Sequence, residues 1–152
     1  MGIVYADIRL SNFSHPELEE ISVNALVDTG ALDLVIPEHL AIQLNLADLR
    51  PREVHLADGS RKLMRYAGPV KVEAMGRDCV TAAVVMGDQV LLGAIAMQAM
   101  DVIVHPRTER LVPNPDSPNV PSFLAKGVDG GVVKETGFVA KEDKPYAAPP
   151  GH

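Results

Sequence analysis

The sequence predicts an all-β fold, a closed barrel or sandwich of short strands carrying one or two short helices. Three observations point there. Short segments of alternating or wholly apolar character recur at regular intervals; strong turn signals, above all Asp58-Gly59 and Met75-Gly76, separate them; and only two stretches have helical character. At 152 residues the chain suits one domain, because a chain of that size buries about two-thirds of its unfolded surface. Apolar residues make up 47%, aromatic ones only 4%, and Trp is absent, so the core has to be built from Val, Leu, Ile, Ala and Met.

Taken in order, residues 3–10 alternate as a strand, and Ser11-Asn12-Phe13-Ser14-His15-Pro16 breaks it. The polar run 17–20 leads into a second strand over 23–27, which makes a hairpin with a long, wet loop. Leu34-Val35-Ile36 is a brief apolar strand. Pro37 suits the first residue of a helix, where its missing N–H is not needed, and Leu40 and Leu44 share one face of a short helix over 38–45. Strands over 52–57 and 60–66 flank Asp58-Gly59, a hairpin turn signal. Residues 70–74 and 79–85 continue the β pattern around Met75-Gly76. Val90-Leu91-Leu92-Gly93 is an apolar strand closing on glycine, and residues 94–100, rich in Ala and Met, suit a short helix. Strands over 101–104 and 110–112 surround a turn at 105–109.

The compact pattern stops near Val112, which divides the chain into a domain over 1–112 and a tail over 113–152. Seven of the twelve prolines and five of the twelve glycines fall in that tail, a density expected of a mobile or loosely attached segment. A small hairpin joining Val132-Val133 to Phe138-Val139 is conceivable within it. The net charge of −6 is spread among interspersed acids and bases with no basic block, so neither nucleic acid nor an anionic membrane is an expected partner. Cys79 is the only cysteine; a small buried hydrophobe in a reducing, cytoplasmic setting is its plain reading. No signal peptide or membrane span is evident. None of the five histidines has metal-ligand spacing with Cys or another His, and no metal or other cofactor is expected.

The chemistry concentrates at Val23-Asn24-Ala25-Leu26-Val27-Asp28-Thr29-Gly30-Ala31. Val23, Ala25 and Val27 alternate with Asn24 and Leu26, so Asp28 sits where a strand buried on at least one face gives way to a tight turn. A carboxylate there is costly unless paired, hydrogen-bonded or used. Thr29 supplies a hydroxyl that can lock the turn, and Gly30 lets backbone and solvent approach closely. On its own, Asp-Thr-Gly reads more readily as a surface turn at a strand end.

Asp28-Thr29-Gly30-Ala31 after an apolar strand resembles the active-site loop of retroviral-type (retropepsin-like) aspartic proteases. The order of the later parts extends the resemblance over residues 3–112. Asp58-Gly59 follows Asp28 by 30 positions, where that family carries a β-hairpin flap, and Gly93 follows it by 65, where an apolar pair ending in Gly opens a helix. The resemblance implies a retropepsin-like closed β-barrel in which Leu91-Leu92-Gly93 and the helix behind it back the catalytic loop. Retroviral members commonly place acids after the loop Ala and an Arg after the later Gly; here those positions hold Leu32-Asp33 and Ala94. Both partners of that ion pair are gone together, and the insertion-like helix after Pro37 is nearer to cellular and bacterial relatives.

The implied chemistry is peptide-bond hydrolysis by a water held between two carboxylates. The chain has one Asp-Thr-Gly and is too short for two such lobes, so a C2 homodimer pairing Asp28 with its copy is expected. Asp33, Asp58 and Asp101 are alternative partners within one chain, with plainer readings as a solvated loop acid, a turn former and a strand-edge charge. The resemblance further implies that Thr29 braces the paired loops and that a peptide or protein substrate binds along Gly30, Ala31 and the hairpin around Asp58, Gly59 and Ser60. Tyr66 is a candidate for packing on that hairpin or a pocket wall, with core or surface packing the plainer reading. A non-catalytic dimeric peptide-binding module on the same fold is the competing function.

Overall fold

The clearest alternation in the chain becomes its first strand. In β1 (Val4–Asn12) every even-numbered residue is buried, while Tyr5, Asp7 and Arg9 are exposed. The structure, a computed structural model, describes residues 2–125. β1 pairs antiparallel with β2 (Ile21–Val27), which pairs in parallel with β7 (Leu91–Leu92). Next to β7 lies β3 (Leu34–Ile36), then β6 (Arg77–Val85) and β5 (Arg61–Ala74). The far half of β5 pairs back onto β1, Leu10 opposite Val72, so the sheet closes into a ring. Closure leaves the strands of the ring itself without an open edge that would template aggregation. β4 (Ala47–His55) pairs with the other half of β5, outside the ring.

The expected all-β barrel is present, with differences at the element ends. β1 runs two residues past Leu10 because Ser11 and Asn12 are paired with Lys71 and Val70. β5 is one strand where the sequence suggests two; its pairing with β6 shifts register between Ala67 and Val70 and then resumes. Helix α1 (Glu38–Gln43) is shorter than 38–45, since Asn45 turns left-handed with φ 53°, and Pro37 is its N-cap rather than its first residue. Buried Asn12 donates to the Leu44 and Asn45 carbonyls (2.9 and 3.0 Å), satisfying acceptors that the ended helix leaves open. Met75 and Gly76 both have positive φ, as the two-residue turn between β5 and β6 requires.

The ring encloses a core of aliphatic side chains. Ile8, Leu10, Leu34, Ile36, Leu44, Leu92 and Met100 are each under 2% exposed. Burial of one such side chain is worth about 1.5–3 kcal/mol, which lets the core form without aromatics. Helix α2 (Ala94–Met100) contributes Ala96, Met97 and Met100 to it. A two-stranded sheet of β8 (Val102–His105) and β9 (Arg110–Pro113) adds Val102 and Leu111. Among the described residues no helix is long and apolar enough to cross a membrane.

Asp101 is not a strand-edge charge. It is the left-handed cap of α2, with φ 57°. The Asn114 N–H donates to its carbonyl, Asn114 Nδ2 to its Oδ1, and Ser117 Oγ and the Ser122 N–H to its Oδ2. Arg77, only 6% exposed, donates to the Asp101 carbonyl at 2.7 Å and to the Ser117 carbonyl. The compact unit accordingly ends at Ser122, ten residues beyond the last apolar strand pattern. The possible hairpin at 132–139 lies outside the described residues.

Candidate active site

Asp28 is the first residue past β2, and its N–H donates to the Leu92 carbonyl at 3.0 Å, carrying the parallel ladder one step further. The chain then turns. The Gly30 N–H donates to Asp28 Oδ1 (3.0 Å) and the Ala31 N–H to the Asp28 carbonyl (3.1 Å), so the side chain and the backbone of one aspartate both fold the loop. A Cβ on Gly30 would stand 3.3 Å from Asp28 Oδ1 and press on the carboxylate. Asp28 is half-buried, while Thr29 and Gly30 are exposed. Among the described residues nothing donates to Asp28 Oδ2, which leaves that oxygen open to solvent or ligand.

The far side of the loop is clamped by the start of α2. The Ala94 and Ile95 N–H groups, two donors without helical partners, bond to the Ala31 and Leu32 carbonyls at 2.9 and 3.0 Å. Gly93 makes this possible. A Cβ there would lie 2.5, 2.8 and 2.9 Å from the carbonyls of Asp33, Leu32 and Ala31, distances real side chains do not tolerate. The Asp33 carbonyl thus lies against Gly93, while among the described residues its side chain has no hydrogen-bond or ion-pair partner.

Register shows which way the carboxylate faces. Residues two apart on a strand share a face, and so do Cα partners on neighbouring strands. Asp28 continues the face of Leu26, which is partnered by Tyr5 and Leu91; Leu91 is partnered by Val35, Val35 by Val84, and Val84 by Tyr66. Their neighbours Val4, Leu34, Ile36, Ala83, Val85 and Leu92 point to the core. The sheet therefore has a second apolar face, a strip running from Asp28 across five strands to the root of the β4–β5 hairpin. Only Leu91 and Tyr66 of this strip stand out in the sequence; the signal for the rest is Leu26, an apolar residue in the phase that otherwise holds Ser22 and Asn24.

The hairpin of β4 and β5 projects from the ring, its strands mostly exposed. At its tip Asp58 Oδ1 accepts the Ser60 hydroxyl (2.6 Å) and N–H (2.9 Å), and Gly59 takes φ 88°. The Ser60 hydroxyl, then its N–H, hold the Asp58 carboxyl below the usual range. Asp58 is committed to the turn, as expected of a turn former. Tyr66, half-buried at the root, carries the Arg52 guanidinium 4.2 Å from its ring centroid, and Arg52 donates to its hydroxyl at 3.3 Å. The structure thus gathers the seven expected residues into two groups: Asp28, Thr29, Gly30 and Ala31 in one loop, and Asp58, Gly59 and Ser60 at one hairpin tip. Among the described residues no hydrogen bond links the groups.

Comparison with curated proteins yields no match. A family model described as gag-polyprotein putative aspartyl protease matches residues 16–108, from the loop before β2 to the turn between β8 and β9. That span holds the Asp28 loop, the projecting hairpin, Gly93 and α2, and it is more than half of the chain. With a closed β ring, an Asp-Thr-Gly loop clamped by a Gly-led helix and this match together, the chain belongs to the retropepsin-like aspartyl protease family.

Proposed function

We propose that the protein is an aspartic endopeptidase that works as a homodimer, Asp28 of each subunit meeting its copy across a two-fold axis. The observation that carries this is the Asp28 carboxylate itself: Oδ1 is fixed by the Gly30 N–H, Oδ2 has no donor among the described residues, and the group ends an apolar strip off the core. A single carboxylate cannot both take a proton from water and give one to the scissile carbonyl. Two that share a proton divide the roles, the arrangement for which aspartic proteases are the familiar instance.

In this mechanism the ionised Asp28 accepts a proton from a water as its oxygen attacks the peptide carbonyl. The protonated Asp28 of the other subunit donates to the carbonyl oxygen, giving a tetrahedral diol. Collapse breaks the C–N bond: the proton held by the first carboxyl passes to the leaving amine, and a diol hydroxyl returns its proton to the second carboxylate, which gives the carboxylic acid product and restores the starting dyad. No covalent enzyme intermediate forms. The exposed Thr29 hydroxyl braces loop against loop, Gly30 keeps space at the carboxylate, and an extended peptide pairs with the hairpin around Asp58, Gly59 and Ser60. Support for association comes from Leu32 (64% exposed) in the loop and Ile95 (39%) bonded to it, apolar groups that a second subunit would cover.

The test is digestion of a diverse peptide library between pH 3 and pH 8 by wild type and by Asp28→Asn, with solution mass measured alongside. Cleavage by a wild-type dimer and none by the variant is the expected result. Cleavage undiminished in the variant would remove Asp28 from the mechanism, and an inactive monomer would leave a binding module.

A further inference from the structure

The β4–β5 hairpin has a different charge from the body it projects from. Residues 47–66 hold five Arg or Lys against three Asp or Glu, a net of +2, which leaves −8 for the rest of the chain. The register sorts four of these five cations onto two faces; Arg50 falls in the irregularity between Leu49 and Arg52 and has no cross-strand partner. Arg61 and Arg65 share the outer face, and both are neutralised there: Arg61 by Glu53 (3.9 Å), Arg65 by Asp48 (3.0 Å) and Glu38 (3.3 Å). Arg52 and Lys62 pair with Met64 and Val54 on the face that continues Tyr66 and the Asp28 strip. That inner face is the more covered one, with Val54, Met64 and Tyr66 half-buried. Among the described residues neither Arg52 nor Lys62 has a carboxylate partner.

Arg52 is also held in place. Its guanidinium lies over the Tyr66 ring with one N–H on the Tyr66 hydroxyl, which leaves further donors of the fork to project from the stack. A cation ordered in advance loses less entropy when it grips a ligand. An unpaired, pre-ordered Arg and an unpaired Lys beside an apolar strip match a peptide that carries a carboxylate next to apolar side chains.

We propose that Arg52 and Lys62 make the hairpin's inner face a reader of acidic residues, so that substrates are extended peptides with Asp or Glu flanking the scissile bond. This rests on the substrate cleft proposed above, and it makes the hairpin a selector by charge as well as a strand that pairs with any backbone. The outer-face cations, already paired, take no part.

Two isosteric peptide pools test it, identical except that every Glu of one is Gln in the other. Binding to Asp28→Asn protein is read by fluorescence anisotropy, and cleavage by otherwise wild-type protein is read separately. The Glu pool is expected to bind about three- to tenfold tighter at low salt, the scale of one or two partly exposed charge contacts, with the advantage shrinking as salt rises. Arg52→Gln/Lys62→Gln should abolish the advantage, and the charge-matched Arg61→Gln/Arg65→Gln should retain it. Equal binding of the two pools, an advantage surviving in the inner-face variant, or equal loss in both double variants would overturn the proposal. Selective binding of the Glu pool without cleavage of either would uphold the charge reading while removing the proteolytic one.

Discussion

Asp28 and Asp101 are both aspartates just beyond a regular element, and they are treated in opposite ways. Asp101 receives donors on both oxygens, from Asn114, Ser117 and Ser122, with Arg77 beside it; its side chain is 12% exposed. The Ser117 hydroxyl, the Ser122 N–H and Asn114, in that order, with a smaller contribution from Arg77, draw its carboxyl down to about 2. Asp28 receives one donor, the Gly30 N–H, on one oxygen. A carboxylate engaged at both oxygens by its own chain ties segments together and is poorly placed to take a substrate. A carboxylate held by one oxygen is aimed and still available, which is what proton transfer needs.

Substitutions at the two corners should separate these roles. Asp28→Asn keeps the Gly30 contact but cannot exchange a proton; kcat is expected to fall by at least about a thousandfold, with circular dichroism unchanged. Gly93→Ala should act next most strongly, by driving a Cβ into the Ala31, Leu32 and Asp33 carbonyls. A loss of about 2–3 kcal/mol by urea titration, together with most of the activity, is the expected outcome. On the apolar strip, Leu91→Ala should raise KM about tenfold and leave urea stability nearly as it was. The smallest activity effect belongs to Asp101→Asn, whose folded form should cleave at the wild-type rate at neutral pH.

What Asp101→Asn changes is the acid limb of stability. The folded carboxyl holds its proton less tightly than the unfolded one, about 2 against an ordinary 3.8. Its contribution is therefore complete above about pH 4 and is lost as pH falls toward about 2. Wild type should lose stability through that window, and the variant should lose less. Melting temperatures across pH 2–6 decide this.

How much was legible follows from the range of the interactions. The Asp28 loop, the Asp58-Gly59 turn and α2 rest on residues within a few positions of one another, and local chemistry revealed all three. The second apolar face was hidden because Leu26, Val35, Val84, Leu91 and Tyr66 become neighbours only through register. Asp101 misled for the same reason: its partners Arg77, Ser117 and Ser122 lie 24, 16 and 21 positions away. The need for glycine at position 93 was visible only as an apolar pair ending in Gly; the three carbonyls that exclude a side chain come from a loop some sixty residues earlier. The sorting of hairpin cations into paired and unpaired sets needed the bulge between Leu49 and Arg52, which resets which residues face inward.

The central claim, that one active site takes Asp28 from two chains, is tested most directly by mixing subunits. Wild-type and Asp28→Asn chains are unfolded together, refolded in varying proportion at constant total protein, and assayed for peptide cleavage. If each site needs two intact aspartates, activity follows the square of the wild-type fraction. A linear decline would show that each chain works with its own Asp28 alone, and would contradict the shared site.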